Sequence, residues 1–208
     1  MPDIESRLTA AQHRSSYVES VLRHSLIGEL GSELWKRSAE ATLQVFNSEV
    51  DDAGFDLVLK VGSAIRYVQL KQAHNGKKPQ HCSIRLAFSE LPGSCVILIA
   101  YSIKSLSISG YRFFGRDADE PMDSIDTHKP SKSTVKKNIG GKKQIRQNYR
   151  DVPVTRFSKS LSASELVDRL FPATSAQQQD GVDPLLALIG TWPSNGETAD
   201  EYVENLRK

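Results

Sequence analysis

The chain has 208 residues, of which 25% are charged and 38% hydrophobic, and its formal net charge is +2. This composition is typical of an ordinary globular protein with a sizeable core, and not of a disordered or fibrous chain. No apolar run approaches the roughly 20 residues that span a bilayer, so we expect no membrane association. Only two cysteines occur, Cys82 and Cys95, and the polar N-terminus lacks a signal-peptide pattern. We therefore expect a cytoplasmic protein with reduced thiols.

The first strong element is a long amphipathic helix. Ser16 and Glu19 have the spacing of a capping box, which predicts a helix start at Ser16. One valine and four leucines then recur at every fourth position and predict a buried face: Val18, Leu22, Leu26, Leu30 and Leu34. Gly28 and Gly31 weaken this helix and could allow close backbone approach to a sheet or to a ligand. Trp35 is expected in the core.

A predicted strand over residues 43–50 leads into a hairpin that spans residues 51–72. Its strands are residues 55–61 and 65–72, with Gly62 and Ser63 at the turn. Side chains alternate along a strand, so Tyr67, Gln69 and Lys71 share one face, and Val68 and Leu70 the other. A buried amide and ammonium require polar partners. Asp56, at the start of the neighbouring strand, is the natural partner.

The remaining elements predict a mixed protein of the α/β class. Further strands are expected over residues 95–100, 111–114 and 152–157, and residues 83–91 are ambiguous, with a short helix as one reading. A capping box at Ser162 predicts a helix through Phe171. Residues 173–183 are linker-like, and a capping box at Thr198 precedes a short amphipathic helix. We therefore expect a domain over residues 1–172, followed by a linker and amphipathic tail over 173–208 that could bind a protein partner.

A basic run follows the acidic stretch at residues 117–126. It contains eight cations and no acidic residue: Lys129, Lys132, Lys136, Lys137, Lys142, Lys143, Arg146 and Arg150. The run is typical of a mobile basic loop or a long hairpin, and its simplest interpretation is a solvated loop without a binding role. Its alternative is a nucleic-acid-binding surface, because cations that neutralise phosphates release counterions and give salt-dependent affinity. No sequence-reading motif such as a helix-turn-helix or zinc finger is present.

The hairpin carries a recognisable pattern. An aspartate, a dozen residues and then Gln-x-Lys (Asp56, Gln69 and Lys71) resembles the catalytic core of the PD-(D/E)XK nuclease superfamily, most closely the branch with Gln at the second acidic position, as in Mrr-type restriction nucleases. The resemblance covers residues 28–72, and the order of elements extends it to about residue 101. It departs from the family pattern in two ways: no proline precedes Asp56, and Gln69 replaces an acid. The resemblance implies a restriction-endonuclease-like fold, with a mixed central sheet flanked by helices.

The resemblance also implies a Mg²⁺-dependent DNA endonuclease, with Mn²⁺ as a substitute, in restriction or anti-phage defence. Asp56 would anchor the metal, the Gln69 amide oxygen and the Leu70 carbonyl would add ligands, and Lys71 would stabilise developing negative charge. Because Gln69 is neutral where the family has an acid, the affinity for the metal should fall. A glutamate from the helix is therefore more necessary as a ligand. Glu29, which follows Gly28 as in related nucleases, is preferred over Glu33. The implied catalytic set is Asp56, Gln69, Lys71, Glu29 and Glu33, and the implied metal ligands are Asp56, Gln69, Leu70 and Glu29.

Other interpretations stay open. Each candidate residue also has an interpretation without a functional role. Asp56 could be a carboxylate at a strand edge, and Gln69 and Lys71 could form one exposed face of an edge strand. Glu29 and Glu33 could belong to a solvated helix face. The missing second acid also allows a non-catalytic nucleic-acid- or protein-binding module on the same fold. Restriction-type nucleases commonly act as homodimers, and only that analogy suggests a dimer here.

Overall fold

The computed structural model describes residues 3–47, 54–74, 79–133 and 143–172. Its helices are α1 (Ile4–His13), α2 (Ser15–Arg37), α3 (Leu86–Ser89) and α4 (Ala163–Leu170). Its strands are β1 (Gln44–Asn47), β2 (Leu57–Val61), β3 (Ala64–His74), β4 (His81–Arg85), β5 (Ser94–Tyr101), β6 (Ile108–Gly115), β7 (Pro130–Lys132) and β8 (Ile145–Pro153). These residues belong to the unit Met1–Pro172. The predicted linker and amphipathic tail lie outside the described residues.

Two sheets form the frame of this unit. The larger has five strands in the order β1-β2-β3-β5-β6, and the smaller has three in the order β4-β8-β7. Strands β3 and β5 are parallel, whereas the other pairings are antiparallel. The expected α/β class is therefore confirmed, with a mixed central sheet. None of the described helices is long and apolar enough to cross a membrane.

One face of the large sheet packs against helices. The predicted stripe on α2 is confirmed, because all five of its residues are buried against side chains of β2, β3 and β5 and against α4. Burying a leucine side chain contributes roughly 1.5–3 kcal/mol, so this stripe fixes α2 on the sheet. The capping box of α4 is also confirmed, since Ser162 accepts from the Glu165 N–H and Glu165 accepts from the Ser162 N–H.

The opposite face of the large sheet carries a second core. Val96 and Leu98 of β5 and Phe114 of β6 pack there with Cys82 and Ile84 of β4. Residues of β5 are thus buried on both faces, as the apolar run at 95–100 predicts. The predicted alternation along β3 is also confirmed, because Val68 lies in the helix-facing core and Tyr67 against the second core.

Some expectations about α2 are wrong. A separate helix, α1, precedes it and is capped by Asp3, so Ser16 lies inside α2 and does not cap it. Trp35 is 66% exposed, because it lies one position, and so about 100° of rotation, beyond the buried Leu34. A Cβ atom built at Gly28 or Gly31 would meet no heavy atom within 4 Å, so neither glycine is needed for a close approach to the described part of the sheet. Approach to a ligand stays a prediction.

Two strand predictions also differ from the structure. The predicted strand over residues 152–157 ends at Pro153, and a 3₁₀ turn, Val154–Arg156, follows it. Residues 83–91 divide between β4 and the short helix α3. The predicted turn at Gly62 is confirmed, and its φ of +57° lies in the left-handed region that glycine adopts without penalty.

Candidate functional site

The open edge of β3 is where the predicted aspartate lies. Strand β2 begins at Leu57, opposite Val68, so the later residues of β3 pair only with β5 in the described part of the chain. The Asp56 carboxylate accepts a hydrogen bond from the Leu70 N–H at 2.6 Å, and the Asp56 N–H donates to the Val68 carbonyl at 2.8 Å. Asp56 therefore continues the pairing beyond the end of β2 and accepts from a backbone donor that has no other partner among the described residues.

The Leu70 carbonyl shares this edge with Asp56. The N–H and C=O of a residue in an extended strand point to the same side, and the Leu70 N–H points at Asp56. The two predicted oxygen donors, a carboxylate and a backbone carbonyl, are thus brought to one edge of the sheet.

Gln69 lies on the opposite face of β3 from Leu70 and is only 8% exposed. Its Oε1 atom is buried and accepts no hydrogen bond from any described residue. Buried side-chain polar atoms are usually paired, so an unpaired amide oxygen next to Leu70 requires an explanation. Gln69 is not among the residues that line the cleft at this edge of β3.

Lys71 is two residues further along the same face of β3 as Gln69. Burial raises the pKa of the Cys82 thiol in β4 to about 11, and the Lys71 ammonium acts in the opposite direction. Lys71 therefore lies close enough to the small sheet for its charge to act there. It also lines the cleft at the open edge of β3, together with Asp56.

A cleft of about 500 Å³ separates β3 from the first half of α2. The strand side contributes Asp56, Leu70, Lys71 and Gln72, and the helix side contributes Ser16, Glu19, Ser20 and Arg23. The four helix residues have the spacing of one helix face. Neither Glu19 nor Arg23 makes a hydrogen bond or ion pair with any residue that the structure describes. The cleft thus combines acidic, basic and hydroxyl groups.

The helix glutamates implied by the resemblance lie elsewhere on α2. Glu29 accepts a hydrogen bond from the Tyr111 hydroxyl at 2.6 Å. Tyr111 belongs to β6, which is two strands away from β3 in the large sheet. Burial, followed by this hydrogen bond, raises the pKa of Tyr111. Glu33 pairs with Lys36 at 2.6 Å. The structure therefore brings Asp56, Leu70 and Lys71 to one cleft, and the α2 carboxylate beside them is Glu19.

Sequence reasoning missed Glu19 and Arg23. The capping-box pattern predicts a role for Ser16 and Glu19 only at a helix start, and no motif in the sequence assigns a role to Ser20 or Arg23. The signal was present, because these residues have helical spacing and alternate with the buried Val18 and Leu22.

The donor set can be compared with what a hard divalent cation needs. Mg²⁺ takes oxygen ligands and is commonly held by one or two carboxylates, with water and substrate phosphate oxygens completing its shell. Among the described residues no group of three or more His, Cys, Asp or Glu could hold a metal ion. Asp56 and the Leu70 carbonyl offer oxygen atoms of the kind that such a cation takes, and Glu19 is a further carboxylate in the cleft. Gln69 does not line the cleft, and its unpaired oxygen is buried.

The basic run is described in part. Lys129, Lys132, Lys143 and Arg146 are exposed, and the β7–β8 pairing makes the run the two arms of a hairpin. Arg150 is half-buried, and its guanidinium donates to the carbonyls of Gln147 and Tyr149. The other predicted cations, Lys136, Lys137 and Lys142, lie outside the described residues.

No protein-family model matches the sequence, and searches of curated proteins and of solved structures likewise find no match.

Proposed function

We propose that this protein is a Mg²⁺-dependent DNA endonuclease on a restriction-endonuclease-like core, with Mn²⁺ as a substitute cofactor, acting in restriction or anti-phage defence. The observation that carries the proposal is the Asp56 carboxylate at the open edge of the strand that bears Gln69 and Lys71. The core would consist of α2, β2, β3 and β5, in which a long helix covers a hairpin extended by a parallel strand. DNA is the proposed partner.

Hydrolysis of a phosphodiester adds a water oxygen to phosphorus and breaks one P–O ester bond. Bound Mg²⁺ would supply Lewis-acid stabilisation of the phosphate oxygens. Asp56, the Leu70 carbonyl and Glu19 would hold it, with the Gln69 amide oxygen as the further ligand that the resemblance implies. Lys71 also lines the cleft, and its ammonium would stabilise the negative charge that develops on the phosphoryl oxygens.

The α2 side of the cleft extends this assignment. Arg23 offers a planar guanidinium that suits a phosphate, and it lies in the cleft without a partner among the described residues. Glu19 would add the carboxylate that Gln69 does not provide. Glu19 would therefore take the place that the resemblance gives to Glu29, and the roles of Glu29 and Glu33 stay predictions.

Cleavage of supercoiled plasmid with Mg²⁺ or Mn²⁺ tests the proposal. Asp56→Asn keeps an oxygen that can accept from the Leu70 N–H, so it removes charge while preserving the fold. We expect nicking by the wild type and a loss of at least about 100-fold in Asp56→Asn and in Lys71→Ala. The matched control is Asp119→Asn, because Asp119 is exposed and outside the cleft. Cleavage that survives both site substitutions would exclude the site.

A second candidate is a nucleic-acid-binding module on the same core without hydrolysis. The absence of a cluster of three or more ligating His, Cys, Asp or Glu in the described ranges favours it. Titration of Mg²⁺ and Mn²⁺ by calorimetry, with and without DNA, separates the two. No metal binding in either condition, combined with salt-dependent DNA binding, would support the module and contradict the nuclease.

A further inference from the structure

A β-bulge interrupts the pairing of β7 with β8. Pro130 pairs with Arg150, but the next residue, Ser131, pairs with Arg146. Gln147, Asn148 and Tyr149 are therefore left out of the β7–β8 ladder. Bulges of this kind redirect side chains away from the regular alternation of a strand.

Contacts around the bulge hold it in one conformation. The Arg150 guanidinium donates to the Gln147 carbonyl at 2.6 Å, the Tyr149 carbonyl at 3.2 Å and the Asp126 carbonyl at 3.3 Å. The first two of these bonds give the Gln147 and Tyr149 carbonyls of the bulge a side-chain donor. Ser131, which is buried, donates to the Asp151 carboxylate at 2.5 Å and accepts from Ser83. Arg150 therefore acts as an internal brace for the bulge, and not as a free cation.

The bulge presents polar side chains in a shallow groove of about 340 Å³. Gln147 and Asn148 are exposed there, and the Arg146 guanidinium stacks 3.4 Å from the centroid of the Tyr149 ring. Side-chain amides can bond an adenine edge with two hydrogen bonds, and a guanidinium can do the same for guanine. The side chains at the bulge are thus of the types that can hydrogen-bond base edges. Contact with phosphates alone would require only positive charge.

The surroundings of the bulge match a polyanion. Lys129, Lys132 and Lys143 are exposed on the same hairpin. The nearby carboxylates of Asp126 and Asp151 accept hydrogen bonds from serine hydroxyls. Exposed cations therefore lie on both arms of the hairpin, beside the exposed amides of Gln147 and Asn148.

We propose that the β8 bulge is a base-reading element that enters the major groove of duplex DNA. Gln147, Asn148 and Arg146 would contact base edges, and Lys132 and Lys143 the flanking phosphates. The B-form major groove admits a two-stranded ribbon and presents a distinct pattern for each base pair. The A-form groove of duplex RNA is too deep and narrow to be read in this way. This inference takes its ligand from the proposed function but does not require hydrolysis.

Selection from a random duplex DNA library tests the proposal, with Asp56→Asn in the full chain and EDTA present so that no DNA is cut. Fluorescence anisotropy then compares the selected duplex with a scrambled duplex. We expect the Asp56→Asn chain to prefer the selected sequence, and Gln147→Ala/Asn148→Ala to lose between about fivefold and a hundredfold of that preference. Lys132→Ala should weaken both duplexes equally and lower the salt slope by about one. Gln12→Ala, at an exposed glutamine of α1, is the matched control and should keep the preference.

Three results would overturn the proposal: no selected sequence, an unchanged preference in the double variant, or equal preference for the same sequence as duplex RNA or single-stranded DNA. Selective binding together with a failure to cleave in the wild type would contradict the nuclease but support the base-reading bulge. Cleavage without any sequence preference would do the reverse. Both substituted amides are exposed, and equal thermal melting of the variants would show that the fold is retained.

Discussion

Arg66 anchors the strand that carries the candidate site, and its removal gives a sharp test of the fold. The side chain has no exposed surface. Its three nitrogens each donate at 2.7 Å, to the carbonyls of Leu170, Arg169 and Arg116. Two of these carbonyls end α4, where the helix has no donors left for them. Burial lowers the pKa of Arg66, yet three charge-assisted hydrogen bonds hold the guanidinium in place.

Arg66→Met keeps the aliphatic stem and removes all three donors. Each buried carbonyl left without a donor lowers the free energy of unfolding by about 1–3 kcal/mol. Because the variant no longer buries a charge, the desolvation cost of the guanidinium disappears and offsets part of this loss. We therefore expect Arg66→Met to lower the free energy of unfolding by about 3–5 kcal/mol, a large share of the typical 5–15 kcal/mol of a domain. With a urea slope of about 1–3 kcal/mol/M, the unfolding midpoint should fall by about 2 M.

Urea unfolding followed by far-UV circular dichroism measures this effect. Arg156→Met is the matched control, because Arg156 is half exposed and its pairing with Asp123 spans 3.5 Å, so the change should stay within about 0.5 kcal/mol. If Arg66→Met does not fold, Arg66→Lys should fold with an intermediate midpoint, since one ammonium cannot replace the three-way fork. A midpoint for Arg66→Met or Arg66→Lys equal to that of the wild type would refute the reasoning.

Two further predictions concern titrating groups. Hydrogen bonds from Ser162 lower the pKa of Glu165, so its contribution to stability is present above the ordinary glutamate pKa and is lost as the pH falls through its folded value. The advantage of the wild type over Glu165→Gln in thermal melting should therefore be present at neutral pH and shrink on acidification, and a difference independent of pH would contradict this. Burial raises the pKa of Cys82 to about 11 and that of Cys95 to about 12, so both thiols should resist alkylation in the folded protein and react in urea, as followed by mass spectrometry. Native alkylation as fast as that in urea would show that the thiols are accessible.

Local patterns in the sequence were sufficient for several parts of the fold. The apolar stripe of α2, the hairpin turn at Gly62 and the α4 capping box each depend on neighbours within a few residues. Alternation along β3 likewise separated Val68 from Tyr67. Helical and strand periodicities are properties of the backbone, so these predictions needed no knowledge of the tertiary structure.

Which part of α2 meets the open edge of β3 was decided only by tertiary packing. Glu19 and Glu29 are ten residues apart, which is about 15 Å along a helix. Because α2 crosses the sheet, one of them lines the cleft beside Asp56 while the other reaches Tyr111 on β6. Periodicity gives the face of a helix that is buried, but the strand beneath each turn depends on how the helix docks. The burial of Arg66 and the bulge in β8 depend in the same way on partners more than ten residues away in sequence.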